Sequence, residues 1–389
     1  MKKILALLLA LLLVATLAAC GGGTPAPAPT AEPSPEPPVE NQEEPDDEEE
    51  PAEGIVASDI HIALVAHSPD SILDDGSFNE GAWQGVQQFL STHNLPGEHA
   101  RFFQPHSGDD VARVDLVADA IATGANVVVL PGFHFIESSA EMQAMFPDVK
   151  FILLDASPAA AIEANLVAIH YAEEQAGFLA GYAAVMEGHK NLGFMGGHAV
   201  PAVVRFGHGF VQGAEHAAHS LGLAEGEVTI NYLYVGGFAP SPEVATTASA
   251  WFAAGTDVIF AAAGGAGFSV ISGAEASDGL VIGVDVDQSA ASDVVITSAM
   301  KALGVSVYDM LTDILNGSFR GGRELMFDAS VDGIGLPMQN SRFANFTQAQ
   351  YDAVFALLAD GTIVVDSAVT PTLSEANLNL TLVTVVELN

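Results

Sequence analysis

Between residues 60 and 315 short apolar runs alternate with longer amphipathic ones, and this alternation constrains the fold more than any other feature. The run from Ile60 to Ala66 has strand length, whereas Trp83, Val86, Phe89 and Leu90 after it recur at helical spacing. Strands are expected at 60–66, 101–104, 126–131, 150–155, 166–170, 191–196, 228–235, 257–263, 280–285 and 294–298. Helices are expected at 79–92, 110–123, 173–187, 201–221, 244–254, 267–276 and 300–315. Strand then helix, repeated, makes parallel sheets covered on both faces. So many strands exceed one compact sheet, and the chain reads as α/β with two doubly wound lobes divided near 171–190. Such sheets bind ligands beyond the carboxyl ends of their strands, which places a cleft between the lobes. The segment 330–389 offers candidate strands at 362–365 and 380–386 and nothing sharper.

Charge excludes one class of partner. Of 389 residues 49 are acidic and 11 basic, and no Lys or Arg occurs between Lys3 and Arg101, so the basic footprint for nucleic acid is missing. The single cysteine, Cys20, excludes a disulfide framework and a cysteine metal cluster. Lys2 and Lys3 precede an apolar run at 4–19 that as a helix would be about 24 Å long, short of the roughly 30 Å hydrocarbon core. It reads as a signal peptide. Leu17-Ala18-Ala19-Cys20, followed by glycines, resembles the site where bacterial lipoproteins are cut and acylated, which implies a leader at 1–19 and Cys20 as lipid anchor. The segment 20–58 is rich in Pro and acid, with seven carboxylates from Glu43 to Glu50, and cannot collapse. It is expected to be a tether, reaching on the order of 100 Å at about 3.1 Å per residue when extended. The folded part is then expected at the extracytoplasmic face of the cell membrane.

Residues just after the strands are the candidates for function. The loop 67–83 carries His67, Asp70, Phe78 and Asn79 into a helix start. Phe78 can stack a flat ligand and Asn79 can hydrogen-bond it; alternatively Phe78 is a hydrophobic staple and Ser77 or Asn79 a cap. Phe238, after two glycines, is a cleft wall or a core aromatic, with Phe206 a rival for the same task. Gly264 opens a Gly264-Gly265-Ala266-Gly267 run that fits neither the dinucleotide nor the phosphate-loop pattern, and serves close approach to a ligand or tight packing. Asp285 ends a strand and either binds ligand or caps a turn. Lys301 is a ligand-binding cation or a solvated helix lysine. His67, His106, His134, His170 and His198 all follow strands, but a metal site needs three or four ligands at fixed geometry, so neither metal nor cofactor is expected. Neither GxSxG nor HExxH is present, and binding rather than catalysis is the expected activity.

Several stretches carry a family likeness in order and spacing. They are DDxSFNxxAWxG at Asp74 to Gly85, Glu174-x-x-Gly177-Phe178-Leu179-Ala180-Gly181-Tyr182, Gly193-Phe194-x-Gly196-Gly197 and Phe206-x-x-Gly209-Phe210-x-x-Gly213. Asp257-Val258-Ile259-Phe260, Gly283-Val284-Asp285-x-Asp287-Gln288 and Ser298-x-x-Lys301 follow. Over residues 60–337 the chain resembles the basic membrane protein family, the PnrA-like nucleoside-binding lipoproteins of ABC transporters. The resemblance implies a two-lobe periplasmic-binding-protein type I fold, with lobe 1 at 59–170, lobe 2 at 171–298, and 299–389 returning to lobe 1 and completing both. It also implies a monomer that binds a purine nucleoside and delivers it to ABC permease and ATPase subunits. Phe78 and Phe238 would sandwich the base, Asn79 would bond its edge or the sugar, and Asp285 with Lys301 would grip the ribose hydroxyls. One departure stands out: the family's aspartate after the first strand is His67 here, with Asp70 following, which changes the donor and acceptor pattern and leaves the base open. A different cargo, a metal-dependent ligand or a surface nucleoside hydrolase are the alternatives.

Overall fold

The computed structural model describes residues 55–74, 76–156, 161–370, 372–373 and 378–388. The leader, Cys20 and the tether as far as residue 54 lie outside the described residues. One sheet contains β1 (Ile62–Val65), β2 (Ala100–Phe103), β3 (Val127–Pro131), β4 (Lys150–Leu154), β5 (Leu166–Tyr171) and, much later, β11 (Arg323–Phe327). Its strands are all parallel, in the order β11-β5-β4-β3-β1-β2. The other contains β6 (Asn191–Gly196), β7 (Val228–Tyr234), β8 (Val258–Ala262), β9 (Leu280–Asp285), β10 (Val295–Lys301), β12 (Ile334–Gly335) and β13 (Val383–Glu387). Its order is β12-β10-β9-β8-β6-β7-β13, with β12 antiparallel to β10 and the other pairs parallel.

The strand pattern follows from burial on both faces. In β1, Ile62 and Leu64 enter one core and Ala63 and Val65 the other. Helices α1 (Phe78–Thr92) and α8 (Leu303–Leu315) close the first core with Val86, Phe89, Val307 and Met310. Helices α2 (Asp110–Ala122) and α3 (Ile136–Met145) close the second with Val117 and Met142. The other sheet repeats the plan: Phe194 and Phe260 face α4 (Glu173–Glu187) and α5 (Pro201–Leu221). Met195, Ile259 and Ala261 face α6 (Pro242–Ala253) and α7 (Ala266–Glu275).

The chain crosses between the sheets at 171–173, 301–303 and 327–334. These crossings are laced together: Ala172 N–H donates to the Phe327 carbonyl (3.1 Å) and Ala302 N–H to that of Gly333 (2.9 Å). The buried hydroxyls of Tyr171 and Ser306 meet at 2.6 Å beside them.

Two expectations need correction. The strand expected to stop at 298 continues to Lys301, because Ala299 and Met300 pair with Val284 and Asp285 while Met300 and Lys301 pair with Gly335 and Ile334 on the other side. Helix α8 begins only at Leu303, so Lys301 sits at a strand end and is 4% exposed, not on a solvated helix. The run 362–365 is not a strand. The edge strand is β13, held by Glu215 of α5, whose carboxylate accepts the backbone N–H groups of Thr381 (2.8 Å), Leu382 (3.1 Å) and Val383 (2.8 Å). Helix α9 (Gln348–Ala359), opened by a Thr347/Gln350 capping box, and α3 were not expected from the sequence.

Helices α4 and α5 touch backbone to backbone. A Cβ on Gly177 or Gly181 would lie 2.1 or 2.0 Å from the carbonyl oxygens of Phe206 and Phe210. One on Gly209 or Gly213 would lie 2.0 Å from those of Glu174 and Phe178. Only glycine permits this approach, so Gly209→Ala is expected to cost about 1–3 kcal/mol, the usual overpacking range. Chemical unfolding measures it; an unchanged midpoint would show that the helices separate without penalty.

Candidate ligand-binding cleft

A cavity of about 830 Å³ opens at the carboxyl ends of both sheets. From the sheet of β1 it is lined by His67, Asp70, Phe78 and Asn79, and from the other by Phe206, Phe238, Gly264, Asp285 and Lys301. These residues, distant in sequence, thus share one cavity. Asp155, Arg113, His134 and His198 line it as well.

The floor is a buried charge cluster. Lys301 Nζ donates to both carboxylate oxygens of Asp155 (2.9 Å each) and lies 3.4 Å from Asp285 Oδ1 and 3.6 Å from Glu173 Oε1. Asp155 and Asp285 follow β4 and end β9 with left-handed φ of +51° and +68°, a conformation that aspartate tolerates better than most residues. Glu173 begins α4 directly after a crossing, and its Oε2 accepts from Arg205 Nε at 2.7 Å. Burial pushes Asp155 up to about 6, with Lys301 opposing and Glu173 and Asp285 adding to the rise. Burial alone would lower Lys301, but Asp155, Asp285 and Glu173 outweigh it and hold the ammonium firmly protonated.

The walls are aromatic. Lys301 Nζ lies 4.6 Å from the centre of the half-buried Phe78 ring, 5.3 Å from that of Tyr171 and 5.5 Å from that of Phe206. Phe206 is nearly buried and packs edge-on to Phe260 (5.8 Å, 85°), whereas Phe238 is half-buried. The Phe238 ring lies against Gly197, where a Cβ would be 2.3 Å from it, and meets His198 edge-on at 5.4 Å. Gly264, at φ +52°, has Phe238 3.6 Å from where its Cβ would stand. The loop before α1 bridges the sheets: Ser77 Oγ donates to Asp285 Oδ2 (2.7 Å), and Gln288 Nε2 donates to the Gly76 carbonyl (2.9 Å). Asp70 lies exposed at the cavity's edge.

At the remaining end His67 and His134 stack with centroids 4.0 Å apart and planes at 2°. Burial lowers His67 to about 3, helped by His134 and Arg113, and lowers His134 to about 4, helped by Arg113 and His198. His106 is exposed, and His170 lies 3.6 Å from Glu324 at the neighbouring strand β11, so neither joins them in the cavity. Among the described residues no three His, Cys, Asp or Glu are grouped to hold a metal ion.

Residues 62–366 match the model of a family described as ABC transporter substrate-binding protein PnrA-like. The chain belongs to that family. It is similar to the ABC transporter nucleoside-binding protein BmpA of Lactococcus lactis subsp. cremoris, 27% identical over 74% of this chain and 84% of the relative. Among solved structures it is similar in fold to ABC transporter solute-binding proteins of Aeropyrum pernix K1 and Conexibacter woesei. The first is 22% identical, with TM-score 0.62 over 82% of this chain and 84% of that one. The second is 24% identical, with TM-score 0.63 over 79% and 99%. The architecture is therefore the two-lobe periplasmic-binding-protein type I fold. Among the described residues of this PnrA-like protein no helix is long and apolar enough to cross a membrane.

Sequence reasoning about the PnrA-like cleft missed Asp155, Glu173 and Arg205. An aspartate ending the apolar run 150–155 was a usable signal, while the pairing of Glu173 with Arg205 depends on how closely α4 meets α5. Beside that pair, burial and then Glu173 push Glu174 up to about 7. The folded state therefore takes up this proton before the unfolded one, and ionised Glu174 destabilises the fold above about pH 7. That penalty fades as the pH falls toward the ordinary 4.5. Glu174→Gln is expected to raise Tm relative to wild type more at about pH 8 than at about pH 5. Equal shifts at both, in thermal unfolding, would contradict this titration.

Proposed function

We propose that this protein captures a purine nucleoside in the cleft and presents it to an ABC permease, held at the outer face of the membrane by a lipid on Cys20. The observation that carries the reading is the Phe78 ring 4.6 Å from Lys301 Nζ, itself 3.4 Å from Asp285. A flat hydrophobic face thus adjoins a carboxylate and an ammonium. A ligand that suits both has an aromatic base and, next to it, vicinal hydroxyls, which donate to the carboxylates and accept from the lysine. The Lactococcus relative's name, a nucleoside-binding protein, supports the same ligand class. In this reading Phe78 and Phe238 cover the two faces of the base, Phe206 backs the floor, and Asn79 bonds the base edge or sugar. Gly264 lets the ligand approach the backbone, His67 stands at the histidine end of the cleft, and Asp70 lies toward the rim. Stacking contributes roughly 1–3 kcal/mol per base, and hydrogen bonds strengthen as the lobes exclude water.

Two measurements test this. Unfolding the purified protein and analysing the released small molecules by mass spectrometry is expected to yield a nucleoside in near one-to-one amount. Phe78→Ala and Asp285→Ala are each expected to weaken nucleoside binding at least about tenfold, roughly 1.4 kcal/mol, without unfolding the protein. Unchanged affinity in both variants would overturn the site assignment.

A further inference from the structure

The histidine end of the cleft is built unlike its charged floor. Strands β1 and β3 are neighbours, and the segments that follow them bring His67 against His134 in a one-turn helix, Phe133–Phe135. Around the two rings stand Arg113 from α2, its partner Asp110 and, from the other sheet, His198. Arg113 is buried and donates to the carbonyls of His67 (3.1 Å) and Gly108 (2.6 Å) and to Asp110 Oδ1 (2.7 Å). A fixed cation beside half-buried imidazoles disfavours a second proton on either, so at neutral pH each ring carries one.

The position of that proton on His134 follows from its surroundings. Its Nδ1 is buried and has no hydrogen-bond partner. A buried N–H without an acceptor is rarer and costlier than a buried lone pair without a donor, which places the proton on Nε2. Nε2 is then the ring nitrogen left to meet a ligand, and it can only donate.

We propose that His134 is a specificity-determining residue whose Nε2–H faces the ligand's base and selects one with a carbonyl oxygen at that edge over one with an amino group. The proposal rests on the nucleoside reading of the same cleft. A donor aimed at an amino group leaves two donors opposed and unsatisfied, and sites built around a hydrogen bond reject such analogues strongly.

Inosine and adenosine share their sugar and differ at this oxo or amino position, so calorimetric titration of the full chain with each reads the selection directly. Wild type is expected to prefer inosine at least about tenfold. His134→Asp, which replaces the donor with acceptors, is expected to shift the ratio at least about tenfold toward adenosine. His134→Ala, which removes the donor, is expected to cut the inosine-to-adenosine affinity ratio at least about tenfold, and it carries the test if the aspartate variant fails to fold. Equal wild-type affinities, or variants that weaken both nucleosides alike, would overturn the role of His134 while leaving the nucleoside reading intact. Wild type that binds neither would overturn both.

Discussion

The Lys301 ammonium is the group on which the cleft depends. It is the last residue of β10, and pairing of its strand with β9 on one side and β12 on the other fixes its place. Around it Asp155 comes from one sheet, Asp285 from the other and Glu173 from the start of α4. A buried charge taken from such a set leaves the others uncompensated, which is costly, so the cluster constrains both sheets and the crossing between them together. Acid outnumbers base here even with Arg205 included. The floor therefore accepts more hydrogen bonds than it donates and suits a ligand rich in hydroxyl protons.

Burial acts at both ends of the cleft, with opposite consequences for charge. Desolvation disfavours the ionised form of either kind of group, raising the Asp155 carboxyl and lowering the His67 and His134 imidazoles. On the floor Lys301 opposes that effect and keeps the region polar and charged. At the histidine end Arg113 reinforces it, and the rings stay neutral. One cavity therefore offers a charged surface at its floor and a neutral one at its histidine end.

The sheets were legible in the sequence because their central strands are covered on both faces and read as uninterrupted apolar runs, as at Val127–Pro131 and Val258–Ala262. The end of β10 was not: Ala299, Met300 and Lys301 run smoothly into an amphipathic helix, and the strand partners that claim them lie in β9 and in the two-residue β12, too short to leave a pattern. Helix α3 was missed because its sequence, Ile136-Glu137-Ser138-Ser139, carries no clean apolar stripe. At the site, Phe78, Asn79, Asp285 and Lys301 were singled out by family-like motifs as well as by position, and the structure puts all four on one cavity. His134 was seen as a strand-end histidine, but only the burial of Nδ1 in the folded chain distinguishes its two nitrogens.

The glycine contact between α4 and α5 links framework and site. Glu173 is at the first turn of α4 and Arg205 in the first turns of α5, so the spacing of the two helices determines whether their side chains meet. With Gly177 set on the Phe206 carbonyl and Gly209 on that of Glu174, the helices approach closely at that end, and the ion pair closes at 2.7 Å. Glu173 then turns its other oxygen toward Lys301. Phe206, one residue beyond Arg205, lines the cavity from the same turn. Widening the helix pair would move an acid of the floor and an aromatic of the wall together, so the glycines, which do not line the cavity, help to set the geometry of the cleft.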